Sequence, residues 1–174
     1  MSEALHWQVT PPTVLRDGPH GLGSVQLFIE HDPEQHYFTF EGQPEYAAQL
    51  QKIVLFDVLI NNADRKGGHV LREERAGQPN HLWAIDHGVC FHTDPKLRTV
   101  IWEFAGQPVA PDLLASLTQF YEDMAVDNGR LRTQLNELLT IQEVTALLHR
   151  LQRLIDRGIY PYPGSGRHYP WPPV

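Results

Sequence analysis

The sequence predicts an α+β fold, and three observations carry that class. Runs rich in β-branched and aromatic residues occur before residue 44 and again between 69 and 86; a long apolar segment begins at Glu45; amphipathic stretches with helix start and stop residues fill 111–158. With 174 residues, 41% of them hydrophobic, the chain can bury a real core and fits one domain or one lobe of a larger fold.

Taken in order, "TPPTVLRDGPHGLGS" is rich in Pro and Gly and reads as extended strand and turn. "SVQLFIE", Ser24 to Glu30, reads as a buried strand. "HDPEQ" turns the chain, and "HYFTF" reads as a second short strand. From Glu45 to Asn62, apolar residues at Tyr46, Leu50, Ile53, Val54 and Ile60 specify a helix buried on most sides toward its end. "HVLRE" and "HLWAID" form a hairpin about the polar turn "ERAGQPN". Three helices follow. Pro111 and Asp112 start the first and Asn128-Gly129 stop it; "RLRTQLNELL" is the second; Thr140 and Glu143 are spaced as a capping box for the third, which Gly158 ends. The tail "YPYPGSGRHYPWPPV" is too proline-rich for regular structure and is expected to wrap the surface through its aromatic rings.

Composition narrows the function classes. A net charge of −7 argues against a general nucleic-acid surface. No stretch approaches the roughly 20 apolar residues of a membrane span, the N-terminus lacks signal-peptide character, and a cytoplasmic location is expected. The lone cysteine, Cys90, fits a reducing compartment. Lysine is scarce: Lys52, Lys66 and Lys96 only.

The candidate chemistry lies in "NNADRKGGHVL", directly behind the apolar helix. Asp64 follows that helix and Asp86 ends the return strand of the hairpin, so the two carboxylates can converge and share a metal. Asp64, Lys66 and His69 have the offsets that phosphoryl transfer in kinase folds uses for an acid, a cation and a metal ligand, and "DHG" at Asp86 to Gly88 has the shape of a D-x-G metal triplet after a strand. Blander roles stay open for each: Asp64 as a turn cap paired with Arg65, Lys66 as a solvated charge, His69 as a hydrogen-bonded hairpin histidine, Asp86 as a strand-end turn. His81, His87, Cys90 and His92 invite a zinc reading, but strand alternation sends His87 and Cys90 to opposite faces and the spacing matches no common zinc pattern. Phe28, Phe38, Phe40, Phe56 and Phe91 are expected in the core, and "WEF" at 102–104 either there or against the loop after the triplet.

"GSVQLFIE", "LFDVLINNADRKGGHVL" and "WAIDHGVCF" together resemble the hinge strand, catalytic loop and metal triplet of the phosphatidylinositol 3-/4-kinase superfamily, closest to the type II phosphatidylinositol 4-kinases and a related, mostly actinobacterial group. The resemblance covers Gly23 to Phe91. It implies a protein-kinase-like C-terminal lobe, ATP and Mg²⁺ as cofactors, Asp64 as catalytic acid/base, Lys66 beside the transferred phosphate, Asp86 as Mg²⁺ ligand, and Gln26, Leu27, Phe28, Ile29 and Glu30 as the hinge beside adenine. His69 stands where the family usually has a metal-binding asparagine. Few residues precede Gly23 and none is lysine, so residues 1–44 read as hinge strand and N-lobe remnant, and 45–174 as the C-terminal lobe. No cysteine-rich segment like that of the type II enzymes accompanies them. The expected function is ATP-dependent phosphoryl transfer to an unknown hydroxyl acceptor. The alternatives are a catalytically inactive nucleotide-binding or scaffold protein and, less favoured, a metal-dependent hydrolase using Asp64, Asp86 and His69.

Overall fold

The computed structural model describes residues 1–126 and 129–174. Its elements run β1 (Thr13–Gly18), β2 (Gly21–Gln26), α1 (Tyr37–Phe40), α2 (Pro44–Ile60), a 3-10 turn (Gly67–His69), β3 (Val70–Glu73), β4 (His81–Ala84), α3 (Pro111–Ala125), α4 (Arg130–Leu138) and α5 (Ile141–Arg157).

The α2 helix is the spine of the core. Pro44 and Glu45 open it, where a missing N–H and a negative charge suit the first turn. Along it Leu50, Ile53, Leu55 and Leu59 are almost wholly buried. Asn61 closes it in the left-handed region at φ 53, a conformation asparagine tolerates better than most residues. Helix α5 lays the stripe Val144, Leu147, Leu151 and Leu154 into the same core, with the anticipated Thr140–Glu143 capping box at its start and Gly158 at φ 60 at its end. Each such fully buried side chain contributes about 2 kcal/mol by removing apolar surface from water. Residues Leu5, Trp7 and Val9 belong to this core as well, and the Ala84 N–H donates to the Val9 carbonyl at 2.7 Å.

Two antiparallel hairpins complete the fold: β1 with β2, and β3 with β4, the second in the register Val70 opposite Ala84 and Leu71 opposite Trp83. Against β3–β4 lies a small second cluster, Ile29 with Leu71 and Trp83.

Several expectations are corrected. The strand placed at Ser24–Glu30 is Gly21–Gln26 and is exposed along its whole length; beyond it Leu27, Phe28 and Glu30 are exposed and only Ile29 is buried. "HYFTF" is a helical turn, because Tyr37 and Phe40, one turn apart, both point into the core while His36 and Thr39 cap its start. Of the phenylalanines, Phe40 and Phe56 are core, whereas Phe28 is 77% and Phe38 41% exposed. In "WEF", Phe104 is buried and the Trp102 Nε1–H donates to the His168 carbonyl. The tail is anchored by the buried Tyr160 ring, which packs against Phe104, and beyond it by backbone carbonyls: His168 O accepts from Thr99 N and Pro173 O from Gly67 N, while Trp171 is 78% exposed. The Asn128 part of the expected stop of α3 lies outside the described residues.

Candidate functional site

The site grows from a charge inside an apolar helix. Asp57, in "VLFDVLI", is wholly buried, and a carboxylate there must be paired. Its partner is Arg65, also 0% exposed, which grips it with two hydrogen bonds, Nε to Oδ2 at 2.8 Å and Nη2 to Oδ1 at 2.9 Å. Asn62 joins the same network: its Nδ2 donates to Asp57 Oδ1 at 2.9 Å, and its Oδ1 accepts from the Asp64 N–H at 3.0 Å, closing the turn that presents Asp64. The blander role left open for Asp64, a turn cap paired with Arg65, loses its partner, because Arg65 faces inward to Asp57.

Arg65 also ties the loop to the hairpin. Its Nη1 donates to the carbonyls of His69 at 3.0 Å and Ile85 at 2.7 Å, and its Nη2 lies 2.8 Å from His87 Nε2. A guanidinium only donates, so His87 Nε2 accepts and the ring is neutral. Burial, reinforced by Arg65, pushes the His87 pKa down to about 4. One side chain thus grips the residues on both sides of Asp86, Ile85 by its carbonyl and His87 by its ring.

Above this base stand the residues singled out in the loop. Lys66 Nζ is 3.5 Å from Asp64 Oδ2, both partly exposed. His69 Nδ1 lies 3.1 Å from the Asp64 carbonyl, which can only accept, so Nδ1 carries the hydrogen. His69 Nε2 faces Asp86 Oδ2 at 3.3 Å. Burial holds the His69 imidazole below its ordinary value, with Asp86 opposing. Asp86 sits at φ 54 with a side chain 56% exposed. Asp64, Lys66, His69 and Asp86 are therefore one cluster.

The five residues expected beside adenine are not all at this cluster. Gln26 lines a cavity of about 520 Å³ that also touches Asp86, Gly88, Phe56, Phe91 and Leu139. Ile29 packs on the hairpin, while Leu27, Phe28 and Glu30 project to solvent. Asp86 is where cavity and loop cluster meet. A volume of this size is in the range of small-molecule sites.

Residues 87–92 are not strand, so the alternation invoked against a zinc site does not apply. The histidines have their own partners instead: His81 Nε2 pairs with the Gln8 carbonyl and its ring meets Trp83 edge-on, His87 is held by Arg65, and His92 Nδ1 accepts from the Asp94 N–H. Burial pushes the Cys90 thiol up to about 12, far from a ready thiolate. Among the described residues, no three His, Cys, Asp or Glu side chains group closely enough to hold a metal by themselves. Mg²⁺ does not need that many, since it usually keeps several waters and takes one or two carboxylates plus substrate phosphates. The exposed Asp86 carboxylate beside the cavity fits such an ion.

Helices around a buried spine, with a charged loop and hairpin on one side, make this a kinase-like α+β domain. The family model for phosphatidylinositol 3- and 4-kinases matches residues 17–162, and the chain belongs to that family. It is similar to Protein Rv2133c of Mycobacterium tuberculosis, 32% identical over 205 aligned positions that take in 99% of this chain and 71% of that protein. Phosphatidylinositol 4-kinase gamma 4 of Oryza sativa subsp. japonica is 26% identical, over 87% of this chain and 28% of its own length. Phosphatidylinositol 4-kinase gamma 3 of Arabidopsis thaliana is 29% identical, over 66% of this chain and 21% of its own length. The chain thus spans less than a third of the plant kinases it matches. No helix among the described residues is long and apolar enough to cross a membrane.

Proposed function

We propose that this chain handles ATP and Mg²⁺ for phosphoryl transfer to a hydroxyl acceptor, with residues 45–174 as the catalytic lobe. The observation that carries this is the contact chain from a loop acid and its neighbouring cation through His69 to a hairpin acid, Asp86, which lines a cavity of about 520 Å³. Asp64, about a third exposed, takes the proton of the acceptor hydroxyl as that oxygen bonds to the γ-phosphorus. The bond from that phosphorus to the β,γ-bridging oxygen breaks and ADP leaves. Lys66 offsets negative charge on the transferring group. Asp86 and His69 would hold the metal, which would supply Lewis-acid stabilisation of the phosphate charge. Gln26, at the cavity, is the hinge residue best placed to meet the base.

The test is transfer of labelled phosphate from ATP to a panel of protein, lipid and small hydroxyl acceptors, by wild type and Asp64→Ala. Transfer lost in the variant is expected. Transfer that survives Asp64→Ala would remove Asp64 from the chemistry.

One observation favours a second reading, a nucleotide-binding protein without turnover: His69 offers Mg²⁺ a nitrogen where oxygen is preferred. That reading predicts MgATP binding with no transfer to any acceptor.

A further inference from the structure

We infer that the position between Asp86 and His69 is a mixed oxygen and nitrogen site that takes a first-row transition-metal dication, Mn²⁺ being the probe, in preference to Mg²⁺. This rests on the phosphotransferase reading for its nucleotide, and it follows from how His69 is oriented.

The Asp64 carbonyl, 3.1 Å from His69 Nδ1, obliges that nitrogen to carry the hydrogen. In the neutral ring Nε2 then has a bare lone pair, and it points at Asp86 Oδ2 3.3 Å away. Two electron-rich atoms held face to face with no hydrogen between them repel unless a cation joins them. Cis ligands of an octahedral dication with bonds of about 2.1 Å lie about 3 Å apart, close to the spacing seen here.

The arrangement is also supported from behind. A metal-bound imidazole characteristically donates its other N–H to a carbonyl or carboxylate, and the Asp64 carbonyl does this for His69. The Arg65 Nη1 contacts to the His69 and Ile85 carbonyls hold the two ligands' backbones in register. Asp86 adopts its left-handed backbone at φ 54 and presents its carboxylate both to His69 and to the cavity. With one carboxylate and one imidazole, the remaining positions fall to phosphate oxygens and water. Mg²⁺ gains little by exchanging a water for imidazole, whereas divalent ions from Mn²⁺ upward gain progressively more.

The full chain is tested with β,γ-methylene ATP, so that nothing turns over. Mn²⁺ binding is followed by electron paramagnetic resonance and Mg²⁺ by its competition, in wild type, His69→Asn and Asp86→Asn, each checked for native circular dichroism. Expected are Mn²⁺ binding about tenfold or more tighter than Mg²⁺ and imidazole-nitrogen modulation of the Mn²⁺ spin echo, both removed by His69→Asn. If His69→Asn does not fold, the wild-type echo decides. Bound Mn²⁺ without an imidazole signal, still weakened by Asp86→Asn, overturns the inference and leaves the phosphotransferase reading intact. Metal–nucleotide binding that is absent, or untouched by Asp86→Asn, overturns both.

Discussion

Arg65 and Asp57 form a doubly hydrogen-bonded ion pair that solvent does not reach, with Nε to Oδ2 at 2.8 Å. The pair anchors the Asp64 loop to the C-terminal end of α2. Because Arg65 Nη1 spans the His69 and Ile85 carbonyls, the same guanidinium positions the loop and the approach to Asp86 together. The cluster is held from beneath by a guanidinium that solvent does not reach.

Removing one partner of this pair leaves an uncompensated buried charge. Asp57→Ala and Arg65→Met are each expected to lower stability by about 3–5 kcal/mol, read from urea midpoints. The double variant Asp57→Leu/Arg65→Met recovers part of that loss but not metal binding, because the His69 and Ile85 carbonyls lose their shared donor. A double variant that binds metal normally would show that Arg65 does not position the site.

Much of this was legible in the sequence and some was not, for physical reasons. The apolar run of α2, the β3–β4 hairpin and the Thr140–Glu143 box agree with local propensity at every level, and each forms where the pattern puts it. Loop and hairpin spacing put Asp64, His69 and Asp86 near one another, and His69 links them by touching the Asp64 carbonyl and the Asp86 carboxylate. "HYFTF" failed because four residues of strand-like composition were overruled by burial of Tyr37 and Phe40 on one helical face. "SVQLFIE" failed because apolar content does not say whether anything covers it. The Asp57–Arg65 pair was missed although it left a signal: an acid in the middle of "VLFDVLI" has to find a cation.

Asp64 is expected to separate activity from stability. It is partly exposed, and its contact with Lys66 at 3.5 Å is a surface pair of small energetic weight. Asp64→Asn should reduce phosphoryl transfer by about 10²- to 10⁴-fold, as loss of a general base does. Its unfolding free energy should stay within about 0.5 kcal/mol of wild type. A large loss of stability with retained transfer would make Asp64 a structural turn residue.

His87 gives the fold a pH dependence of defined sign. Its pKa is about 4 when folded, against about 6.5 for an ordinary histidine, so between those values the unfolded chain binds a proton that the native chain refuses. Stability is then full above pH 6.5, falls as pH drops toward 4 and levels off below, by on the order of 3 kcal/mol. His87→Gln keeps an acceptor for Arg65 and cannot titrate. Urea midpoints across this range should flatten in the variant; an unchanged slope would assign the effect to other groups.

The tail closes on the loop from the opposite direction. Pro173 O accepts from the Gly67 N–H at 2.8 Å, and His168 O accepts from both Thr99 N and Trp102 Nε1. A Cβ at Gly67 would stand 3.0 Å from the Phe38 ring and 3.6 Å from Pro173 O, so glycine there lets ring and tail seat together. Ending the chain after Tyr162 removes three hydrogen bonds of about 1 kcal/mol each. The family match runs to residue 162, so the variant keeps the whole matched region. It should melt earlier and exchange the Gly67 amide faster in hydrogen–deuterium measurements, with transfer weakened through a looser Asp64 loop. Unchanged exchange at Gly67 would mean that the loop is held by the Arg65 network alone, and that the tail only covers it.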